Sequence, residues 1–135
     1  MRWVNVEFNQ FYLSNNEGKS NCVIRTFCKI FGQEYNSVYN DLCFIANKLG
    51  YDSFNDILVF ETYMEQHDTN LIDYGSDIKI KELNLDNGSY AVFCWNKKDF
   101  YHMVSIIDNI LYDKDDKSLE LYAIKIYKHN IWKRN

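Results

Sequence analysis

The chain has 135 residues, 47% of them hydrophobic and 17% aromatic, which is enough for a single domain over residues 1–135 with a sizeable core. Its formal net charge of -4 disfavours a general nucleic-acid binder. The N-terminus has no apolar signal core and no apolar stretch approaches membrane-spanning length. We therefore expect a cytoplasmic protein with neither a membrane nor a nucleic-acid partner.

The first half of the chain shows helical spacing after an aromatic-rich start. We expect an irregular arm over residues 1–13 and a loop over 14–21. Apolar residues then recur every three or four positions in three stretches, as they do on the buried face of a helix. The sequence predicts helices over about 22–31, 37–49 and 55–66, capped by Ser20 or Asn21, by Asn36, and by Ser53 or Asn55, with Gly32 and Gly50 ending the first two.

The second half changes to the composition and turn signals of strands. A short segment over 78–81 leads into a turn of helix. Four strands are then predicted, Tyr90 to Trp95, Tyr101 to Ile107, Ile110 to Tyr112 and Leu119 to Tyr127, with a tight turn at Asp108-Asn109. Helices followed by an antiparallel sheet of about four strands define an α+β fold.

Cys22 differs from the other cysteines because it opens the first predicted helix. A thiol in the first turn lies near unpaired backbone N–H groups and the positive end of the helix dipole. Both favour the thiolate, which is the nucleophilic form of cysteine. Cys28, Cys43 and Cys94 lie within apolar runs and are predicted to be small buried side chains.

The remaining cysteine and histidine positions argue against a metal centre. No Cys-x-x-Cys pair or histidine cluster occurs, so we expect reduced thiols and neither a metal nor a cofactor. His67 and His129 lie in polar surroundings and are expected to face solvent.

His102 and Asp113 lie on the two strands of a predicted hairpin. The two-residue turn places Asp113 diagonally across from His102 on one face of the sheet, and Asp115 directly opposite if pairing continues that far. Either carboxylate could orient the imidazole and stabilise its charged form, as the third member of a catalytic triad does. Asp113 is preferred because Asp115 belongs to a charged loop where pairing should end.

An acyl-transfer site also needs hydrogen-bond donors for an oxyanion. The backbone N–H of Cys22 is one candidate, and the side-chain amides of Asn16 and Asn21 are others, with Asn16 the best placed. Asparagines in such loops more often serve turns. Arg25, one helical turn after Cys22, could hold a substrate carboxylate, anchor the preceding loop, or pair with an acid such as Glu17.

Three segments follow one another in the order Asn21-Cys22-Val23-Ile24-Arg25, Tyr101-His102-Met103-Val104 and Ile110-Leu111-Tyr112-Asp113. In that order they resemble a family of small papain-like cysteine-peptidase-fold proteins found in phages and bacterial mobile elements. Members show Asp-Cys-x-x-Arg-Ala at the helix start, a His-x-Val strand and a Gly-x-x-Tyr-Asp hairpin. This chain departs from the pattern at Asn21, Thr26 and Asn109, where the family has an acidic residue, alanine and glycine.

The resemblance implies a papain-like fold with Cys22 as nucleophile, His102 as general base and acid, and Asp113 as the orienting residue. Our hypothesis is a phage-type thiol hydrolase, a peptidase or isopeptidase acting on a peptide or protein substrate such as a host protein. Two other functions stay open. One is a non-catalytic inhibitor that binds a host defence component on the same scaffold, and the other is an acyl or amine transferase with the same triad.

Overall fold

The computed structural model describes residues 1–5 and 21–130, and these ranges contain three helices and a six-stranded mixed sheet. The elements are β1 (Arg2–Asn5), α1 (Cys22–Phe31), α2 (Tyr35–Leu49), α3 (Ile57–Gln66), β2 (Thr69–Tyr74), a 3-10 turn (Ile80–Glu82), β3 (Ser89–Trp95), β4 (Tyr101–Ile107), β5 (Ile110–Asp113) and β6 (Tyr122–His129). The predicted α+β class is confirmed. The predicted strand number is wrong, because the sheet has six strands and not about four.

Helix α1 has its predicted bounds and is buried over most of its surface. Gly32 and Gly50 follow α1 and α2 in the left-handed conformation, which glycine adopts without steric cost. Among the helices of the described residues, none is long and apolar enough to cross a membrane.

The N-caps of α2 and α3 differ from the predicted ones. Helix α2 starts at Tyr35, so Glu34 and not Asn36 precedes it. Asp56 caps α3, and its carboxylate accepts the backbone N–H of Leu58 at 2.9 Å. Each loop offers several polar side chains within a residue or two of the helix start, so sequence alone does not select the cap.

The sheet has the strand order β1-β5-β4-β3-β6-β2, with β1 parallel to β5 and all other neighbours antiparallel. The two strands that sequence analysis missed, β1 and β2, form its edges. Most of their residues are exposed. They therefore lack the alternation of buried and polar side chains by which a strand is recognised in a sequence.

Apolar side chains cover both faces of the sheet. Ala91, Phe93 and Met103 face the three helices and join their core. Val92 and Val104, which alternate with them, pack on the other face under the 3-10 turn. The helix-side layer holds α1 against β3 and β4, so the first turn of α1 lies near the start of β4.

A two-residue turn joins β4 and β5. Asp108 and Asn109 have positive φ angles of 49° and 64°, which is the conformation of a type I′ turn. Ile107 pairs with Ile110, as the predicted turn requires. The Asp108 carboxylate accepts the N–H of Gly88 at 2.9 Å, which ties the turn to the residue before β3.

An Asn109→Ala variant should lose about 1 kcal/mol of unfolding free energy, because an alanine at positive φ has a steric cost that asparagine tolerates better. The matched Asn109→Gly variant should stay within about 0.5 kcal/mol of the wild type, since glycine adopts this conformation readily. Chemical denaturation measures both. Equal losses in the two variants would show that φ at this position does not limit stability.

Candidate active site

Cys22 is the first residue of α1, and its side chain is 7% exposed. The helix begins here because the Asn21 carbonyl accepts the N–H of Arg25 at 2.9 Å, the first hydrogen bond of the helical ladder. The first turn of a helix presents N–H groups that its own carbonyls do not satisfy, together with the positive end of the dipole. The thiol therefore lies where a negative charge is stabilised.

His102 and Asp113 form a buried pair. His102 Nε2 lies 2.7 Å from Asp113 Oδ2. The backbone ladder between β4 and β5 ends at the pair Ser105 and Tyr112. His102 and Asp113 lie beyond that pair and meet through their side chains. Asp115, the alternative partner, is exposed in the following loop. The carboxylate preferred from the sequence is the one that contacts the imidazole.

The edge strand β1 supports the carboxylate. Asn5 of β1 pairs with Asp113 in the parallel ladder. Trp3 Nε1 donates to the Asp113 carbonyl at 3.2 Å, and Asn5 Nδ2 donates to the Lys114 carbonyl at 2.8 Å. The N–H of Lys114 donates to Asp113 Oδ1 at 2.8 Å. These bonds fix the backbone at Asp113 and Lys114 and leave Oδ2 directed at His102.

The Cys22 side chain hydrogen-bonds to the His102 imidazole. Because Asp113 engages Nε2, Nδ1 is the ring nitrogen left for the thiol. Burial acts to lower the pKa of His102, but the hydrogen bonds and negative charge of Asp113 and Cys22 together outweigh it and raise the pKa to about 9. The imidazole is then protonated at neutral pH, which favours a thiolate beside it.

The other cysteines differ from Cys22 in their surroundings. Cys28 and Cys94 are buried, as predicted, whereas Cys43 is only partly buried. Burial raises the pKa of Cys28 to about 12 and that of Cys94 well above its ordinary value. Both therefore remain neutral thiols at pH 7. Cys94 Sγ also donates to the His102 carbonyl at 3.4 Å, which helps hold the histidine-bearing strand.

Two of the three predicted substrate-contacting residues lie beside this network. Arg25 Nη2 lies 3.8 Å from Asp113 Oδ1, so its acidic partner among the described residues is Asp113. Asn21 lines a cavity together with Arg25, and its side chain makes no capping hydrogen bond to α1. Asn16 and Glu17, which sequence analysis proposed as an oxyanion donor and an acidic partner, lie outside the described residues.

Phe100 also belongs to this site, although it was not among the residues predicted from the sequence. Its ring stacks on the His102 ring with centroids 5.4 Å apart and planes 25° from parallel. Lys117 Nζ lies 4.6 Å from the Phe100 centroid. The aromatic ring covers one side of the imidazole, which keeps water from that side of the pair with Asp113. An aromatic residue just before a strand is equally typical of ordinary packing, so its position in the sequence gives little signal.

A groove of about 450 Å³ borders both Cys22 and His102. Its walls come from the start of α3 and from β3 and β4, and its apolar lining residues are Val23, Ile57, Phe60, Phe93, Tyr101 and Met103. Helix α3 is held in place by Glu61, which accepts hydrogen bonds from Lys125 Nζ at 3.1 Å and from the Tyr127 hydroxyl. We call this feature the apolar groove.

His67 and His129 were predicted to face solvent, but they are only partly exposed. Both are partly buried, and their rings pack against Phe31 with centroid distances of 5.0 and 4.9 Å. Burial lowers the pKa of His129. Phe31 ends α1, so this cluster lies at the opposite end of the helix from Cys22. Across residues 1–5 and 21–130, no group of His, Cys, Asp or Glu side chains is placed to hold a metal ion.

Comparison with known proteins gives no match to a family model, to a curated protein or to a solved structure. The class of this site is therefore defined by its own contacts. It is a buried Cys-His-Asp constellation at a helix N-terminus, open to an apolar groove.

We expect His102 to titrate near pH 9 in an NMR experiment, above the ordinary pKa of 6.5. Asp113→Asn should bring the midpoint below about 8, because the variant lacks the charge that opposes burial. Asp115→Asn is the matched control and should leave the midpoint unchanged. A wild-type midpoint at or below 6.5 would contradict the charged pair.

The same pKa predicts how stability depends on pH. Because the folded-state pKa of His102 lies above its unfolded value of 6.5, the charged pair stabilises the fold fully below that pH and loses its effect as pH rises through about 9. The wild type should lose on the order of 2 kcal/mol more than a His102→Gln variant over this interval. If the unfolding free energies of the wild type and the His102→Gln variant change equally with pH, the charged pair does not contribute to stability as described.

Proposed function

We propose that the chain is a thiol hydrolase that cleaves an amide bond through Cys22. The observation that carries the proposal is the continuous contact from the Cys22 thiol through the His102 ring to the Asp113 carboxylate. A nucleophile, a base within hydrogen-bond reach and a third group that orients the base are the components of nucleophilic catalysis. The apolar groove beside them offers space for an extended peptide, so a peptidase or isopeptidase is the form we favour.

Each of the three residues has a separate task in this scheme. The Cys22 thiolate attacks the acyl carbon, and the tetrahedral intermediate collapses to a thioester as protonated His102 gives its proton to the departing amine. Water then attacks the thioester, His102 accepts a proton from it, and the thiolate leaves. The products are a carboxylic acid and an amine. Asp113 binds Nε2 and thereby holds the ring with Nδ1 left for proton exchange at the sulfur.

The oxyanion would form beside the first turn of α1. The backbone N–H of Cys22 is the natural donor, because the N–H groups of a first helical turn point outward along the axis. Asn21 precedes it, and its side chain is not engaged in capping the helix. We propose Asn21 as the second donor among the described residues.

A papain-like arrangement fits this proposal. The nucleophile begins a buried helix, and the base and carboxylate come from adjacent antiparallel strands packed against it. The short segments that resemble phage and mobile-element proteins of that class supply these same three residues. On this interpretation the substrate is a peptide or protein, and a host protein is the expected target.

Iodoacetamide at neutral pH should alkylate Cys22 faster than Cys28, Cys43 or Cys94, because only Cys22 adjoins a protonated imidazole and an open groove. Peptide mass spectrometry measures the rate at each cysteine. Asp113→Asn should slow Cys22 by about tenfold or more, since His102 then loses the partner that keeps it charged. Asp115→Asn removes the same charge two residues away and should leave the rate near that of the wild type.

The proposal fails if Cys22 reacts no faster than the partly buried Cys43. It also fails if the two aspartate variants behave alike, because the network then has no special role for Asp113. Denaturation curves for both variants separate loss of reactivity from loss of folding.

Two other functions on this scaffold give different results in direct tests. A Cys22→Ala variant that keeps the full biological effect of the wild type would indicate a non-catalytic binding protein. Products that carry an added amine in place of water would indicate an acyl transferase. Hydrolysis abolished by Cys22→Ala and insensitive to added amines is the result expected here.

A further inference from the structure

A second cavity, of about 250 Å³, borders His102 but not Cys22. The lining residues are Asn21, Arg25, Phe100, His102, Asp113, Lys114, Asp115 and Lys117. We call it the charged cavity. It differs from the apolar groove in composition, because six of the eight described residues that line it carry an ionisable or cationic group.

Among the described residues around the charged cavity, cations outnumber anions. Arg25, Lys114 and Lys117 oppose two carboxylates, Asp113 and Asp115. The Asp113 carboxylate is already engaged by His102, Arg25 and the Lys114 N–H. The cavity also lies at the N-terminal end of α1, where the dipole favours an anion. The balance of charge therefore favours a negatively charged occupant.

The Lys117 ammonium is held at the wall of the charged cavity. Its Nζ lies 4.6 Å from the centroid of Phe100, and the Phe100 ring in turn stacks on His102. Such a cation–aromatic contact restrains a lysine that would otherwise move freely in solvent. A positive charge is thereby kept near the imidazole that must protonate the leaving group.

The positions of the two cavities relative to the thiol and the imidazole give them different roles. The acyl part of a substrate becomes bonded to Cys22, so it must occupy a space that borders the thiol, and the apolar groove does so. The departing amine takes its proton from His102, so it must occupy a space that borders the imidazole. Both cavities border the imidazole, but the charged cavity does not border the thiol, so it is the space left for the part of the amine beyond its nitrogen.

We propose that the charged cavity is the leaving-group subsite and that it binds a carboxylate. This inference rests on the proposed hydrolase function. The substrate class it defines is an amide with an apolar acyl part and an amine part that carries a carboxylate, supplied by an acidic side chain or by a free C-terminus. Arg25, Lys114 and Lys117 are its specificity residues.

The test uses iodoacetyl probes that alkylate Cys22 and extend from it. N-iodoacetylglycine carries a terminal carboxylate, N-iodoacetylglutamate α-amide carries a side-chain carboxylate, and N-iodoacetylglycinamide is neutral. We expect at least one anionic probe to react with Cys22 about fivefold faster than the neutral one at low ionic strength, with the preference falling as salt is added. The faster of the two anionic probes identifies the source of the carboxylate.

Paired lysine variants test where the preference arises. In the double variant Lys114→Gln/Lys117→Gln, the anionic and neutral probes should react at nearly equal rates. The control, Lys48→Gln/Lys98→Gln, removes the same charge from exposed lysines that line neither cavity, and it should keep the fivefold preference to within about twofold. Lys48, Lys98 and Lys114 are exposed and Lys117 is partly buried, so denaturation curves of both double variants should accompany the rates.

The outcomes separate this inference from the proposed function. Selective labelling of Cys22 at equal rates by all three probes overturns the carboxylate subsite and leaves the hydrolase proposal intact. A preference for anions that persists in the Lys114→Gln/Lys117→Gln variant also overturns the subsite. Failure of the neutral probe to label Cys22 selectively overturns the proposed function, and the inference falls with it.

Discussion

The hydrogen bond between His102 Nε2 and Asp113 Oδ2 is the constraint on which the candidate site depends. It engages Nε2 and so leaves the other ring nitrogen, Nδ1, for the Cys22 thiol. It also supplies the negative charge that keeps a buried imidazole protonated against the cost of burial. Without this bond, the buried imidazole would lose the largest of the interactions that raise its pKa.

The fold maintains that bond from several directions. The tight turn between β4 and β5 fixes their register, and the edge strand β1 holds the backbone at Asp113 and Lys114. The Phe100 ring covers the His102 imidazole, and the Cys94 thiol donates a hydrogen bond to the His102 carbonyl. Strand β1, which is short and mostly exposed, therefore holds the backbone that carries the carboxylate.

Features that depend on residues close together in the chain could be predicted from the sequence. The bounds of α1, the Asp108-Asn109 turn and the preference for Asp113 over Asp115 all follow from short-range spacing and turn chemistry. Prediction from the sequence failed where a contact joins distant segments. The exposed edge strands are defined by their partners and not by their own composition, which is why six strands were counted as about four.

The same distinction applies to the site. The sequence identifies Cys22, His102 and Asp113 as candidates, but their convergence, the Arg25–Asp113 ion pair and the division into an apolar groove and a charged cavity depend on tertiary packing. The partly buried His67 and His129 illustrate the reverse case. Their neighbours in sequence are polar, yet both rings pack against Phe31 of α1, and His67 also stacks on Tyr63 of α3.

The most direct test of the account is the far-ultraviolet absorbance of a thiolate, measured as the difference between the wild type and a Cys22→Ser variant across pH. If Cys22 and His102 form a thiolate–imidazolium pair, the difference spectrum should already contain the absorbance of nearly one thiolate per chain at neutral pH. A difference spectrum that shows no thiolate absorbance until the pH exceeds the ordinary pKa of a free cysteine would contradict the account.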